Sequence, residues 1–170
     1  VPDMITMGKP MGNGIPISGL AAKEDVLAAF SDKLPYFNTF GGNPVSIAAA
    51  QAVLKYIKDE NLQEHCKKAG AALLKALKEV QERHPESVGD VRGAGLFLGF
   101  EFVKNDGNKT PDKDMALNVI EMLRDEHILT SVIGHYGNIL KLRPPMVFSE
   151  NDIDWFATSL DKCITKLENK

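Results

Sequence analysis

Apolar residues fall into short uninterrupted runs near the N-terminus and longer runs of helical period further on. Met4 to Met7 reads as a buried strand cut off by Gly8, and Pro10, Gly12 and Gly14 prevent any regular continuation. A second apolar run, Ile15 to Ala22, follows, so the opening predicts two core strands around a glycine-rich turn that carries Lys9. Lys23 to Phe30 has the pattern of a short helix, broken by Ser31 to Pro35. Tyr36 to Pro44 is an aromatic, glycine-rich loop without a period. Asn43 as N-cap and Pro44 as first helical residue then open a helix to about Lys58. Its small residues Ala48, Ala49, Ala50 and Ala52 predict a deeply packed helix. Asn61 is placed to cap the next one, Leu62 to about Arg83, where Leu62, Cys66, Ala69, Leu73, Leu77 and Val80 recur at three- and four-residue steps. His84-Pro85 ends it.

The second half alternates between the two periods. Val88 to Val103 reads as two strands divided near Gly93 and Gly95, the second of them covered on both faces. Thr110-Pro111 is an N-cap and first-turn pair for a helix to about Asp125, with Met115, Val119, Met122 and Leu123 as its apolar stripe. Strands are expected over Ile128 to Ile133 and Ile139 to Arg143, separated by a turn. Ser149 with Asp152 resembles a capping box for a last helix reaching about Leu167. The order β-β-α-β-β-α predicts a small α+β domain over residues 84–170, after an α/β portion over residues 1–83.

Composition narrows the class without choosing a function. With 44% hydrophobic and 25% charged residues this is an ordinary globular composition, and a net charge of −3 offers no basic field for nucleic acid. No run approaches the length of a membrane span, and no signal peptide is visible. Cys66 and Cys163 both fall on predicted helices and point to a reducing compartment, the cytoplasm or alternatively the mitochondrial matrix. The chain begins with Val1 and enters a core strand with no partner before it. The expectation is therefore the C-terminal part of a longer protein, or a cleavage product.

Several signatures fail. Gly8-Lys9 is followed by Pro10 and has no upstream glycine at P-loop spacing, and Gly93-Ala94-Gly95 leads into a strand where a dinucleotide site needs a helix. His65, His84, His127 and His135 have no metal-ligand spacing, so no metal site is expected. Three features survive, each with a plain structural alternative. Lys9 is either a solvated loop lysine or a nucleophile towards carbonyl groups, since a lysine kept from full hydration loses its proton more readily. Thr39, in a loop running into the helix start at Asn43, marks either a phosphate site or an ordinary capped loop. Lys141 and Arg143 share one face of a strand, about 7 Å apart, with Leu140 and Leu142 on the other. They either hold a carboxylate or phosphate or protect an edge strand.

Taken together, Pro2-Asp-Met-Ile-Thr-Met-Gly-Lys9-Pro-Met-Gly-Asn-Gly14, Phe37-Asn-Thr39-Phe-Gly-Gly-Asn43-Pro44 and Gly89-Asp-Val-Arg-Gly93-Ala-Gly-Leu-Phe-Leu-Gly99 resemble the class III pyridoxal-phosphate aminotransferases of fold type I. The resemblance implies the C-terminal part of a large cofactor domain followed by the small C-terminal domain. It implies that Lys9 is the Schiff-base lysine and that Thr39 binds the cofactor phosphate, the cofactor being that of the other subunit of a homodimer with shared sites. The aromatic that stacks on the cofactor ring, the carboxylate partner of its pyridine nitrogen and the main phosphate turn are expected upstream of Val1. The 170 residues alone are therefore expected to be inactive.

One position departs from the family. Many of its aminotransferases have an arginine for the substrate carboxylate where Lys141 stands, and lysine cannot make arginine's bidentate fork. Lys141-Leu-Arg143-Pro-Pro-Met146, with the Lys9 turn, is similar to the phospho-lyase branch, whose members eliminate phosphate from phosphorylated amines. The expected function is transfer of an amino group between an amine or amino acid and a keto acid. The alternatives are phospho-lyase chemistry and a non-catalytic paralogue serving as an interaction domain.

Overall fold

Met4–Met7 forms strand β1 and Gly19–Ala22 strand β2, an antiparallel pair with Met4 opposite Ala22 and Met7 opposite Gly19. The computed structural model describes residues 1–169; Lys170, the last residue of the expected second domain, lies outside them. Helices α1 (Glu24–Ser31) and α2 (Pro44–Asp59) complete a first compact unit, Val1–Asn61. Asn43 caps α2 as expected: its side chain accepts from the Val45 and Ser46 N–H groups, and Pro44 begins the helix. The expected burial is absent. All four residues of β1 are exposed, and α1 and α2 contain no buried residue. A two-stranded ribbon has two faces to cover, and the described residues of this unit supply no third strand and no helical layer over them.

The second unit starts at Leu62. It contains α3 (Leu62–Arg83), β3 (Val88–Ala94), β4 (Phe97–Phe102), α4 (Lys113–Asp125), β5 (Ser131–Ile133), β6 (Ile139–Leu142) and α5 (Glu150–Glu168). The strands pair antiparallel in the order β3-β4-β6-β5. One sheet face carries Val91, Leu98, Phe100, Phe102, Leu140 and Leu142 into a single core with Leu73 and Leu77 of α3, Val119 and Leu123 of α4, and Leu160 and Ile164 of α5. The β-β-α-β-β-α order is thus as read, but the division falls at Asn61 rather than after Arg83. The apolar stripe of α3 is part of the second core, and that places the helix there.

Close approach fixes α3 against the sheet. A Cβ added at buried Gly70 would lie 2.2 Å from the carbonyl carbon of Gly95, in the β3–β4 turn. Other expectations shift for local reasons. β4 is covered on one face alone, because the three helices of this unit pack on the same side. Asn61 adopts a left-handed backbone (φ 48°) between α2 and α3 and does not serve as a side-chain cap. The cap of α4 is Asp112, whose carboxylate accepts from Met115 N–H at 2.9 Å, while Pro111 continues a bridge to Val103. β5 begins at Ser131 because Ile128 still donates to Leu123 as α4 unwinds.

The C-terminal helix is held at both ends. At its start the capping box is complete: Asp152 N–H donates to Ser149 Oγ, and Ser149 N–H and hydroxyl donate to the Asp152 carboxylate at 2.8 and 2.6 Å. These bonds, the hydroxyl's first, hold the Asp152 carboxyl below its ordinary range. A depressed folded-state value gives stability that is present above the unfolded carboxyl's range and is lost as pH falls through the folded one. Ser149→Ala is accordingly expected to lower the Tm at neutral pH and by less in acid, which thermal melts at two pH values check. At the other end, buried His84 lies between Glu168 (Nδ1 to Oε2, 2.7 Å) and Asp161 (Nε2 to Oδ1, 3.1 Å), and Ser87 Oγ donates to Glu168 at 2.6 Å.

Candidate active site

Lys9 follows directly on β1. Its backbone lies in the left-handed region (φ 41°), immediately before Pro10, and Lys9–Gly12 forms a single 3-10 turn. A side-chain-bearing residue there is strained by about 1–3 kcal/mol, and a following proline narrows its choices further. The turn is locked by Met11 N–H to Gly8 O and Asn13 N–H to Pro10 O, and it packs against α2. Strain at a lysine, held by this much surrounding geometry, is an observation that points towards function. Lys9 is exposed and makes no ion pair among the described residues. It opens on a cavity of about 540 Å3 lined also by Ile17, Ser18, Asn38, Phe40, Asn43 and Ser46.

The Thr39 loop is built by its asparagines. Asn38 Oδ1 accepts from the N–H groups of Phe40 and Gly41, both at 3.0 Å, and Asn43 takes the first N–H groups of α2. The backbone donors expected to serve a phosphate at this helix start are therefore already engaged. Among the described residues the loop leaves free the exposed Thr39 hydroxyl and the N–H groups of Thr39 and Gly42. Thr39 does not line the Lys9 cavity.

Lys141 and Arg143 fall in the second unit. β6 is an inner strand, paired with β4 on one side and β5 on the other, so edge protection does not account for its charges. Leu140 and Leu142 are buried while Lys141 is half-buried and Arg143 exposed, as the alternation predicts. Both basic residues line one cavity of about 480 Å3, with His127, Thr130, Ser131, Phe148 and Trp155. Neither is in an ion pair among the described residues. Two unpaired cations therefore line one partly apolar cavity.

Sequence reading missed Ser18 and Asn38 beside Lys9, and the Arg92–Asp90–Glu101 ion cluster. The asparagine that opens an Asx turn was the signal available for Asn38. The cysteines are free; burial pushes the Cys163 thiol up, away from the reactive thiolate. No His, Cys, Asp and Glu group is placed to hold a metal among the described residues, and no helix is long and apolar enough to cross a membrane.

Residues 1–164 match the aminotransferase class-III family. The chain belongs to the class III aminotransferases. It is 45% identical over 166 residues to ethanolamine-phosphate phospho-lyase homolog 1 of Caenorhabditis elegans, covering 97% of this chain and 35% of that protein. It is 39% identical over 167 residues to the alanine–glyoxylate aminotransferase 2-like protein of Drosophila melanogaster, covering 97% of this chain and 34% of that one. Among solved structures, an Arthrobacter phospholyase in complex with phosphoethanolamine superposes with a TM-score of 0.92 at 38% identity, covering 97% of this chain and 39% of that one. The class III chain thus spans about a third of the length of the curated relatives it matches. Its architecture is that of part of a fold type I pyridoxal-phosphate enzyme.

Class III aminotransferases and their phospho-lyase relatives depend on pyridoxal phosphate. The first unit fits that cofactor: it offers an unpaired primary amine, the group that condenses with an aldehyde, on a rigid turn beside a cavity.

Proposed function

We propose that the full protein is a pyridoxal-phosphate aminotransferase in which Lys9 holds the cofactor and moves the proton of the substrate. The observation that carries this reading is the unpaired Lys9 amine on its strained, proline-locked turn, opening on the 540 Å3 cavity. Bound pyridoxal phosphate supplies an electron sink for the carbon that bears the substrate's amine. Lys9 serves first as the anchor. Its ε-amine would also be the group that takes up and hands on the proton at that carbon. The turn fixes the backbone that carries the amine, which narrows the orientations open to such a transfer. Thr39 donates its hydroxyl to a cofactor phosphate, that of a second copy in a homodimer. Lys141 and Arg143 hold the substrate's anionic group.

A second reading, phospho-lyase, is favoured by one specific feature. Lysine stands where many relatives place the carboxylate-binding arginine, and with Arg143 it brings two unpaired cations to one cavity. Lys141 is a point charge suited to a phosphate dianion but not to a carboxylate fork. Relatives named as phospho-lyases at 45% and 38% identity support it.

The full-length protein with bound pyridoxal phosphate is to be given phosphoethanolamine, and separately amino acids with a keto acid. Aminotransferase chemistry is expected to yield a new amino acid from the keto acid without inorganic phosphate. Release of phosphate with no amino product would replace it with the second reading. Neither product, with no adduct at Lys9 on borohydride reduction, would leave a non-catalytic paralogue.

A further inference from the structure

Across the uncovered face of the four-stranded sheet, the register sets Arg92, Gly99, Lys141 and Ser131 in one row. The adjacent row carries Asp90, Glu101, Ile139 and Ile133. Directly opposed side chains on a sheet face stand about 5 Å apart and diagonal ones about 7–8 Å, within reach of long side chains. Lys141 therefore has a glycine and a serine as its flanking neighbours and Glu101 on its diagonal. A lysine beside a half-buried carboxylate would ordinarily pair with it, and the result would be a neutral face with nothing to offer an anion.

Arg92 is what prevents this. Its Nη1 lies 2.6 Å from Asp90 Oδ2 and 2.6 Å from Glu101 Oε2, so one guanidinium occupies both carboxylates. Asn138 Nδ2 approaches the remaining Glu101 oxygen, Oε1, at 3.5 Å. The hydrogen bonds that Arg92 donates to Glu101 and Asp90 raise its pKa further above the ordinary value, so the guanidinium keeps its charge at every working pH. The Lys141 ammonium is left without a carboxylate.

We infer that Arg92 is a positioning residue that sets specificity: by holding Asp90 and Glu101 it keeps Lys141 free for the anionic group of the substrate. This rests on the proposed role of Lys141 as an anion holder. Arg92 does not touch the substrate. Its contribution is to binding of the charged group and not to the proton transfers at Lys9.

The test uses the full-length protein with bound pyridoxal phosphate and inorganic phosphate as the probe, titrated by calorimetry. Arg92→Met frees Glu101 to pair with Lys141 and is expected to weaken phosphate binding about fivefold, the size of one partly exposed ion pair. In kinetics the KM for an anionic amine rises by a similar factor, kcat holds, and the KM for an uncharged amine does not move. Adding Glu101→Gln to Arg92→Met removes the competitor and restores phosphate binding. Glu101→Gln alone, which keeps every cation, is expected to bind phosphate at least as tightly as the unaltered protein and remains informative if Arg92→Met does not fold. Weaker binding in Glu101→Gln, or unchanged binding in folded Arg92→Met, overturns the inference. Lys141→Met separates the two layers: if it leaves phosphate binding intact, the anion-holding role of Lys141 itself falls. If Lys141→Met weakens binding and Arg92→Met does not, the role of Arg92 alone is refuted.

Discussion

Lys9→Ala in the full-length protein is expected to abolish turnover, by more than about a thousandfold, because one group is lost both as anchor and as proton carrier. Borohydride reduction followed by peptide mapping is expected to label the Lys9 peptide in the unaltered protein and no peptide in the variant. Retained turnover, or a label on another lysine, would remove Lys9 from its role. The backbone supplies a control of a different kind. Lys9 has φ 41°, a conformation that alanine tolerates as badly as lysine but glycine adopts freely. Lys9→Gly is therefore expected to be as inactive as Lys9→Ala yet more stable by about 1 kcal/mol. Equal melting temperatures for the two variants would mean that the turn is not strained, and that the left-handed backbone carries no functional signal.

The second large effect is structural. Gly70→Ala is expected to destabilise the protein by about 3 kcal/mol or more, at or beyond the upper end of ordinary overpacking. The added methyl carbon would lie 2.2 Å from the Gly95 carbonyl carbon, and the obstacle is backbone on both sides, so no rotamer relieves it. α3 would have to move away from the β3–β4 turn, opening contacts of Ala69, Leu73 and Leu77 with the sheet core. Urea titration measures the loss. A variant within about 1 kcal/mol of the parent would show that α3 can shift cheaply, contrary to the packing density of such cores.

What could be read in advance was local. Asn43-Pro44 and the Ser149–Asp152 box announced their helix starts within four residues, and both formed. The alternation of Leu140, Lys141 and Leu142 matched the strand, which ends one residue short of the expected Arg143. Long-range features were out of reach for a physical reason: their partners are set by pairing order and register. Nothing in the Lys141 segment says that β6 lies inside the sheet and not at its edge. Asp90, Arg92 and Glu101 meet because β3 and β4 pair in one particular register. Burial is out of reach for the same reason. Met4 to Met7 has a core composition, but whether a strand is covered depends on which other segments lie over it. Thr110-Pro111 was a sound cap signal outcompeted by Asp112, because Pro111 was already engaged alongside Val103.

The clamp around His84 also sets how far the chain can be shortened. Glu168 is the last residue of α5, and its two oxygens take the His84 ring and the Ser87 hydroxyl. Trimming back to Leu167 removes that carboxylate. It would leave a buried imidazole nitrogen and a hydroxyl without their acceptor at the hinge where α3 hands the chain to β3. Glu168 is therefore the clasp that closes this unit, and any truncation or fusion is better made beyond it than in its place.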